Sequence, residues 1–138
     1  MTFEGYVRVL QERMSLVLNG ERKESRSGTW MTTRRMRLVE ELIDDRLGTK
    51  LTVQDLSSAL GLSAGFFSRA LKAAIGKTPH DYIIDRRIAR ARALLASQHC
   101  SLSAVAYEVG FSSHAHMANA FRQRLGVTPS EYRKYSTR

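Results

Sequence analysis

Two heptapeptides, Gly76-Lys77-Thr78-Pro79-His80-Asp81-Tyr82 and Gly126-Val127-Thr128-Pro129-Ser130-Glu131-Tyr132, share the pattern G-x-T-P-x-x-Y and hold the chain's two prolines. They stand 50 residues apart, so the chain carries an internal repeat. Upstream of them Phe67, Ala70 and Leu71 match Met117, Ala120 and Phe121 at the same offset of 50. Further upstream the offset is 49: Val53, Leu56, Leu60, Gly61 and Leu62 match Leu102, Val105, Val109, Gly110 and Phe111. One extra residue therefore enters the second copy near Ser112-Ser113.

Each copy spells helix, turn, helix. Thr52 is a good N-cap for a helix beginning Val53-Gln54-Asp55-Leu56, and Asp55 three residues on can answer it. Val53, Leu56 and Leu60 fall on one helical face, and Gly61 closes the helix. Ser63 caps a second helix that carries Phe66, Phe67, Ala70 and Leu71 and ends at Gly76. The second copy repeats this, with Ser101 capping 102–109, Gly110 opening the turn, Ser113 capping 114–125 and Gly126 ending it. The spacing predicts one helix-turn-helix over about 52–76 and another over about 101–126. In each copy Thr-Pro then starts a further helix, with proline at the first helical position.

After Pro79 a long helix is predicted to about Ser97, with Ile84, Ile88, Ala91 and Leu95 as its apolar stripe. About eighteen residues at 1.5 Å rise make a rod of roughly 27 Å. Ahead of the first copy, Arg34–Leu47 reads as another amphipathic helix, ending at Gly48. Residues 1–33 differ. Phe3, Leu10 and Val17 recur every seven residues, with Val7 and Met14 four further on, a short heptad-like seam. Asn19–Thr32 is polar and reads as a linker. The predicted organisation is an N-terminal helical extension and linker over 1–33 and an all-α domain over 34–138.

The composition bounds the partners. Lys+Arg number 22 against 13 Asp+Glu in 138 residues, a formal charge of +9. Residues 34–138 hold 17 of the cations and 9 of the carboxylates, so the excess sits with the repeats. A basic protein of this kind most often has a polyanionic partner, usually nucleic acid; basicity kept only for solubility is the bland alternative. The single Cys100 rules out an intramolecular disulfide and fits a reducing compartment. There is no apolar run near the ~20 residues of a membrane span, and no secretory leader at Met1-Thr2-Phe3-Glu4-Gly5. The expected location is the cytoplasm.

The stretch Ala104-Val105-Ala106-Tyr107-Glu108-Val109-Gly110-Phe111-Ser112-Ser113-His114-Ala115-His116-Met117-Ala118-Asn119-Ala120-Phe121-Arg122, followed by Leu125-Gly126-Val127-Thr128-Pro129-Ser130-Glu131-Tyr132-Arg133, resembles the DNA-binding domain of the AraC/XylS family of bacterial transcription regulators. The likeness covers residues 34–138. Met117 stands where that family usually has an aromatic residue, and Asn119 where it often has a basic one. The resemblance implies seven helices, two helix-turn-helix subdomains of homeodomain-like kind joined by the long helix. It also implies double-stranded DNA as partner, RNA polymerase as a second one, activation of transcription and association with the bacterial nucleoid. Most members add a sensing domain on the N-terminal side; 1–33 is too short for one, so the chain is similar to small members without it. Its oligomeric state is expected to be a monomer on DNA, or a dimer through residues 3–18.

Helix geometry picks out the reading surface. Phe67, Ala70 and Leu71 point inward in the first copy, leaving Ala64, Gly65, Ser68 and Arg69 outward at the N-terminal end and Lys72 a turn on. Arg69 is the long donor there, and arginine pairs bidentately with guanine O6 and N7. Phe66 has two open readings, a thymine-methyl contact or core. In the second copy Met117, Ala120 and Phe121 point inward and His114, Ala115, Ala118 and Asn119 outward. Asparagine pairs well with adenine. With fewer long donors, this second face is expected to give weaker or more shape-dependent readout. Phosphate contacts are expected at the helix N-termini Ser63, Thr78, Ser113 and Thr128. Lys72, Arg86, Arg87, Arg122 and Arg124 are the cationic candidates.

Other chemistry finds little support. His99-Cys100 and His114-x-His116 match no zinc spacing, so no metal or cofactor is expected. Glu40-Glu41 and Asp44-Asp45 read as a solvated face rather than a catalytic pair. No phosphate-cradling glycine loop or nucleophile motif is present, and no enzyme is expected. Two further readings stay open: a nonspecific architectural nucleic-acid binder, and a protein-interaction module with degenerate helix-turn-helix units.

Overall fold

The computed structural model describes residues 30–97 and 99–136. The heptad-like seam at Phe3, Val7, Leu10, Met14 and Val17, the dimer reading through 3–18 and most of the linker lie outside the described residues. Among the described residues there are seven helices and no strand: α1 (Thr33–Asp45), α2 (Val53–Ala59), α3 (Ala64–Ile75), α4 (Pro79–Ser97), α5 (Leu102–Glu108), α6 (His114–Leu125) and α7 (Pro129–Ser136). The described residues divide into two compact units; 30–46 with Leu51–Tyr82 form the first, and Leu47–Lys50 with the described residues of 83–136 form the second.

In the first unit α2 and α3 make the helix-turn-helix. The Thr52 side chain accepts from the Asp55 N–H while the Asp55 carboxylate accepts from the Thr52 N–H, a reciprocal cap. The hydrogen bond from the Thr52 backbone N–H holds the Asp55 carboxyl below its ordinary 3.8. Phe67, Ala70 and Leu71 of α3 are fully buried, as are Leu38, Val39, Leu42 and Ile43 of α1.

Trp30, assigned above to the linker, is only 2% exposed and belongs to the described structure of this unit. The Arg35 guanidinium lies 4.5 Å from its ring centroid and donates to its carbonyl. The folded unit therefore begins before Arg34. Tyr82, from the first G-x-T-P-x-x-Y, donates its hydroxyl hydrogen to Glu40 at 3.0 Å. Helix α1 also ends at Asp45 with Arg46 as cap, short of the predicted Leu47, and the buried Leu47 belongs to the second unit.

In the second unit the stripe Ile84, Ile88, Ala91 and Leu95 of α4 packs with Val105, Ala106, Val109, Phe111, Met117, Ala120 and Phe121. Tyr132, from the second G-x-T-P-x-x-Y, meets Phe121 edge-on with ring centroids 5.9 Å apart. Arg92 donates to its hydroxyl at 3.3 Å and holds the phenol below its usual range.

The two turns are built alike. Gly61 N–H donates to Ser58 O and Leu62 N–H to Ser57 O; Gly110 N–H donates to Tyr107 O and Phe111 N–H to Ala106 O. These are the paired bonds of a Schellman ending, which absorb the helix's last carbonyls. Both glycines take positive φ, 71° and 93°. Every partner in one turn matches the other at the offset of 49. At the next helix the offset is 50: Phe66 N–H bonds Ser63 Oγ and His116 N–H bonds Ser113 Oγ. Ser112 is the added residue, and its hydroxyl lies 3.1 Å from His116 Nδ1.

Candidate nucleic-acid interface

A helix-turn-helix works by holding one helix with its inner face in a core and its outer face bare. Helices α3 and α6 meet that description. Their outward residues Gly65, Arg69, His114, Ala115 and Asn119 are exposed, and Ser68 and Ala118 are half-buried at the edge of the inner face. Serine caps hold both N-termini, so the first turns present unpaired backbone N–H groups to solvent. Phe66 is half-buried and meets Trp30 edge-on, ring centroids 5.6 Å apart. That contact accounts for its apolar side chain within the fold, and only part of the ring faces outward.

Carboxylates are distributed unevenly. Every described helix except α3 and α6 contains at least one Asp or Glu: α1 has four, α4 two, and α2, α5 and α7 one each. Helix α3 instead carries Arg69 and Lys72, and α6 carries Arg122 and Arg124. The two helices singled out by geometry are thus also the two free of negative charge.

The phosphate candidates separate on inspection. Lys72 and Arg122 are exposed, near the C-terminal ends of α3 and α6. Ser63, Thr78 and Ser113 are exposed caps, Thr78 accepting from Asp81 N–H at 3.2 Å. Arg86 is half-buried. Arg124 is tied to Asp85, Nε to Oδ1 at 2.7 Å, which neutralises much of its field. Arg87 is a correction. It is 8% exposed, donates from Nη2 to Thr49 O at 3.1 Å, and its Nε has no hydrogen-bond partner. Burial lowers its pKa and removes it from the surface. An arginine on a basic-looking helix was expected to face solvent; here it packs beside the second turn, against Gly110.

Sequence reasoning missed Trp30 and Arg35. The chain's one tryptophan, standing in a polar stretch, was the available signal, because so large an apolar ring is seldom left fully in water. Nothing in the pattern marked Arg35 as a buried partner. The histidines form no cluster: His116 rests edge-on against Phe111 at 5.1 Å, and no group of three or more metal-ligating side chains occurs among the described residues. No described helix is long and apolar enough to cross a membrane.

Comparison with known proteins agrees with this geometry. A profile described as a helix-turn-helix domain matches residues 56–135. A Chromobacterium violaceum transcriptional regulator with an AraC-type DNA-binding domain superposes with a TM-score of 0.69 at 27% identity, covering 72% of this chain and 89% of that one. This chain belongs to the AraC-type helix-turn-helix family. Another structural neighbour is the DNA-binding domain of AdpA, a global transcriptional factor, crystallised in complex with a target DNA (TM-score 0.68, 27% identity, 72% of this chain and 90% of that one). Among sequences, the AraC-type chain is 34% identical over 120 residues to the probable transcriptional regulator LumQ of Photobacterium leiognathi, covering 87% of this chain and 46% of that protein. It is 30% identical over 123 residues to the regulator YdeC of Bacillus subtilis, covering 89% of this chain and 42% of that one. The chain thus spans less than half the length of these two relatives.

Proposed function

We propose that the protein is a sequence-specific DNA-binding transcription regulator in which α3 and α6 are the reading helices. The observation that carries this reading is the coincidence of two independent properties on the same two helices. They alone among the described helices lack carboxylates, and they alone follow a helix-turn-helix turn with their outer faces bare. A duplex carries a negative charge about every 1.7 Å of its axis, so an element that approaches it closely is repelled less when it carries no acids. The likeness to the AdpA domain crystallised with a target DNA supports DNA as the partner.

In this reading Arg69 pairs with a guanine and Asn119 with an adenine, Ser68, His114, Ala115 and Ala118 line the groove wall, and Phe66 offers its outer edge to a thymine methyl. Lys72 and Arg122 meet phosphates, and the first turns behind Ser63 and Ser113 bind phosphate oxygens through backbone N–H groups. Helix α4 has 19 residues, about 28 Å, comparable with the roughly 34 Å between successive major-groove segments on one face of DNA. One chain then reads two unlike half-sites without a second copy. Activation, contact with RNA polymerase and residence on the nucleoid follow from the family likeness and belong to the same proposal.

Selection from random duplexes is the test. The reading expects an enriched asymmetric site with two short words about 10 base pairs apart. Recovery of no motif, with equal affinity for random duplex, would point to the architectural alternative and overturn this one. A run-off transcription assay on a promoter holding the selected site then gives the sign of regulation.

A further inference from the structure

Gly65 lies in the first turn of α3, where its φ is ordinary and no turn requires a glycine. Glycine there weakens the helix relative to alanine. What occupies the missing side chain's place is the guanidinium of Arg69, one turn along. A Cβ built at Gly65 would stand 3.1 Å from Arg69 Nη1 and 3.9 Å from its Cζ, with nothing else within 4 Å. The Arg69 side chain therefore lies back along the helix toward its N-terminal end, with its guanidinium beside the place a side chain at 65 would take. Arg69 is exposed, and no described residue accepts a hydrogen bond from it.

We infer that Gly65 is a positioning residue for base recognition: its lack of a side chain lets Arg69 present its donor fork at the N-terminal end of α3. The inference rests on the DNA-reading role of α3 given above. That end of a recognition helix is the part that reaches base edges. An arginine held close to the helix also has fewer rotamers to lose on binding. A methyl at position 65 makes Nη1 give by a few tenths of an ångström and fills the bare place beside which the guanidinium rests, while leaving the fold alone. The second copy lacks the arrangement, since Ala115 and Asn119 occupy the places of Gly65 and Arg69.

Duplex selection with the whole chain tests this in both directions. Wild type is expected to prefer guanine at one position of one half-site, and Arg69→Ala to abolish that preference. Gly65→Ala is expected to cut guanine discrimination at that position about tenfold, or move it by one base pair. It should leave the other half-site's preferences intact and raise the melting midpoint by a few degrees, as glycine-to-alanine changes in helices do. A merely structural glycine would lose stability and affect all positions alike. In the second copy, Asn119→Arg paired with Ala115→Gly is expected to create a guanine preference at least threefold stronger than Asn119→Arg alone.

An unchanged guanine preference in Gly65→Ala, in a wild type that still selects its site, overturns the inference and leaves the DNA-reading role standing. An unchanged preference in Arg69→Ala overturns it as well, since Arg69 would then not be the reader. No selected motif in the wild type removes both.

Discussion

Gly61 and Gly110 hold the same place in their turns and face different surroundings. A Cβ on Gly61 would meet nothing within 4 Å, whereas one on Gly110 would collide with the Leu47 carbonyl oxygen and stand 2.9 Å from Arg87 Nε. Gly61→Ala therefore bears only the left-handed backbone penalty, about 1 kcal/mol. Gly110→Ala adds a backbone collision and is expected to lose at least about 2 kcal/mol more. Urea unfolding of the two variants measures the difference; equal losses would show that the second turn has room to yield. The same close packing governs Arg87. Because it touches the turn and not solvent, Arg87→Met is expected to change stability while leaving the salt dependence of DNA binding as in wild type. Lys72→Ala or Arg122→Ala is expected to lower the log–log salt slope by about 1. A lowered slope in Arg87→Met would put it back among the phosphate contacts. The repeat made the equivalence of the two glycines legible, but not the neighbours that distinguish them. Those neighbours, Leu47 and Arg87, are both remote in sequence from Gly110.

At the scale of elements, the local signals were the readable ones. Thr52, Ser63, Ser101 and Ser113 all cap as their spacing implies, because a cap bond joins groups three residues apart and needs no tertiary partner. The start of the first unit was not readable in the same way, since Trp30 is recruited by Phe66 and Arg35 and not by its immediate neighbours. A fragment beginning at Arg34 is therefore expected to lose about 3 kcal/mol or more from its first unit relative to one beginning at Trp30, the usual cost of deleting a buried tryptophan. Thermal melts of both fragments check it, and identical midpoints would show Trp30 to be dispensable. The cap of α2 also has a pH signature. Its carboxyl titrates lower in the folded chain than in the unfolded one, so it stabilises α2 above pH near 3.8. That contribution fades as pH falls through the lower folded value. Asp55→Asn is expected to flatten this acid limb in melts between pH 2 and 5, with little change in shape at neutral pH.

For the molecule as a whole, the charge excess was legible in composition, but its useful part was not. Of the candidate cations, Arg87 is buried and Arg124 is joined to Asp85, and only packing could separate these from Arg69, Lys72 and Arg122. The placement of carboxylates is the more telling feature, visible once helix boundaries are known. If both reading helices grip one duplex, inserting five base pairs between the two words of the selected site turns one word to the opposite face of the DNA. Affinity is then expected to fall at least tenfold in mobility-shift titrations, and to stay low when ten base pairs are inserted, because the words then stand about 68 Å apart, beyond the reach of one chain joined by a 19-residue helix. Indifference to spacing would mean that only one helix binds at a time.

The offset of 50 between α3 and α6 has a practical corollary. Each is 12 residues long, each starts behind a serine and stops at a glycine with φ near 73°, and their inner faces correspond residue for residue. They are interchangeable cartridges, separable from the unequal turns that precede them. Writing the Ala64–Ile75 text into the slot of His114–Leu125 would yield a chain that spells the same word twice, and its preferred DNA would hold two copies of one word.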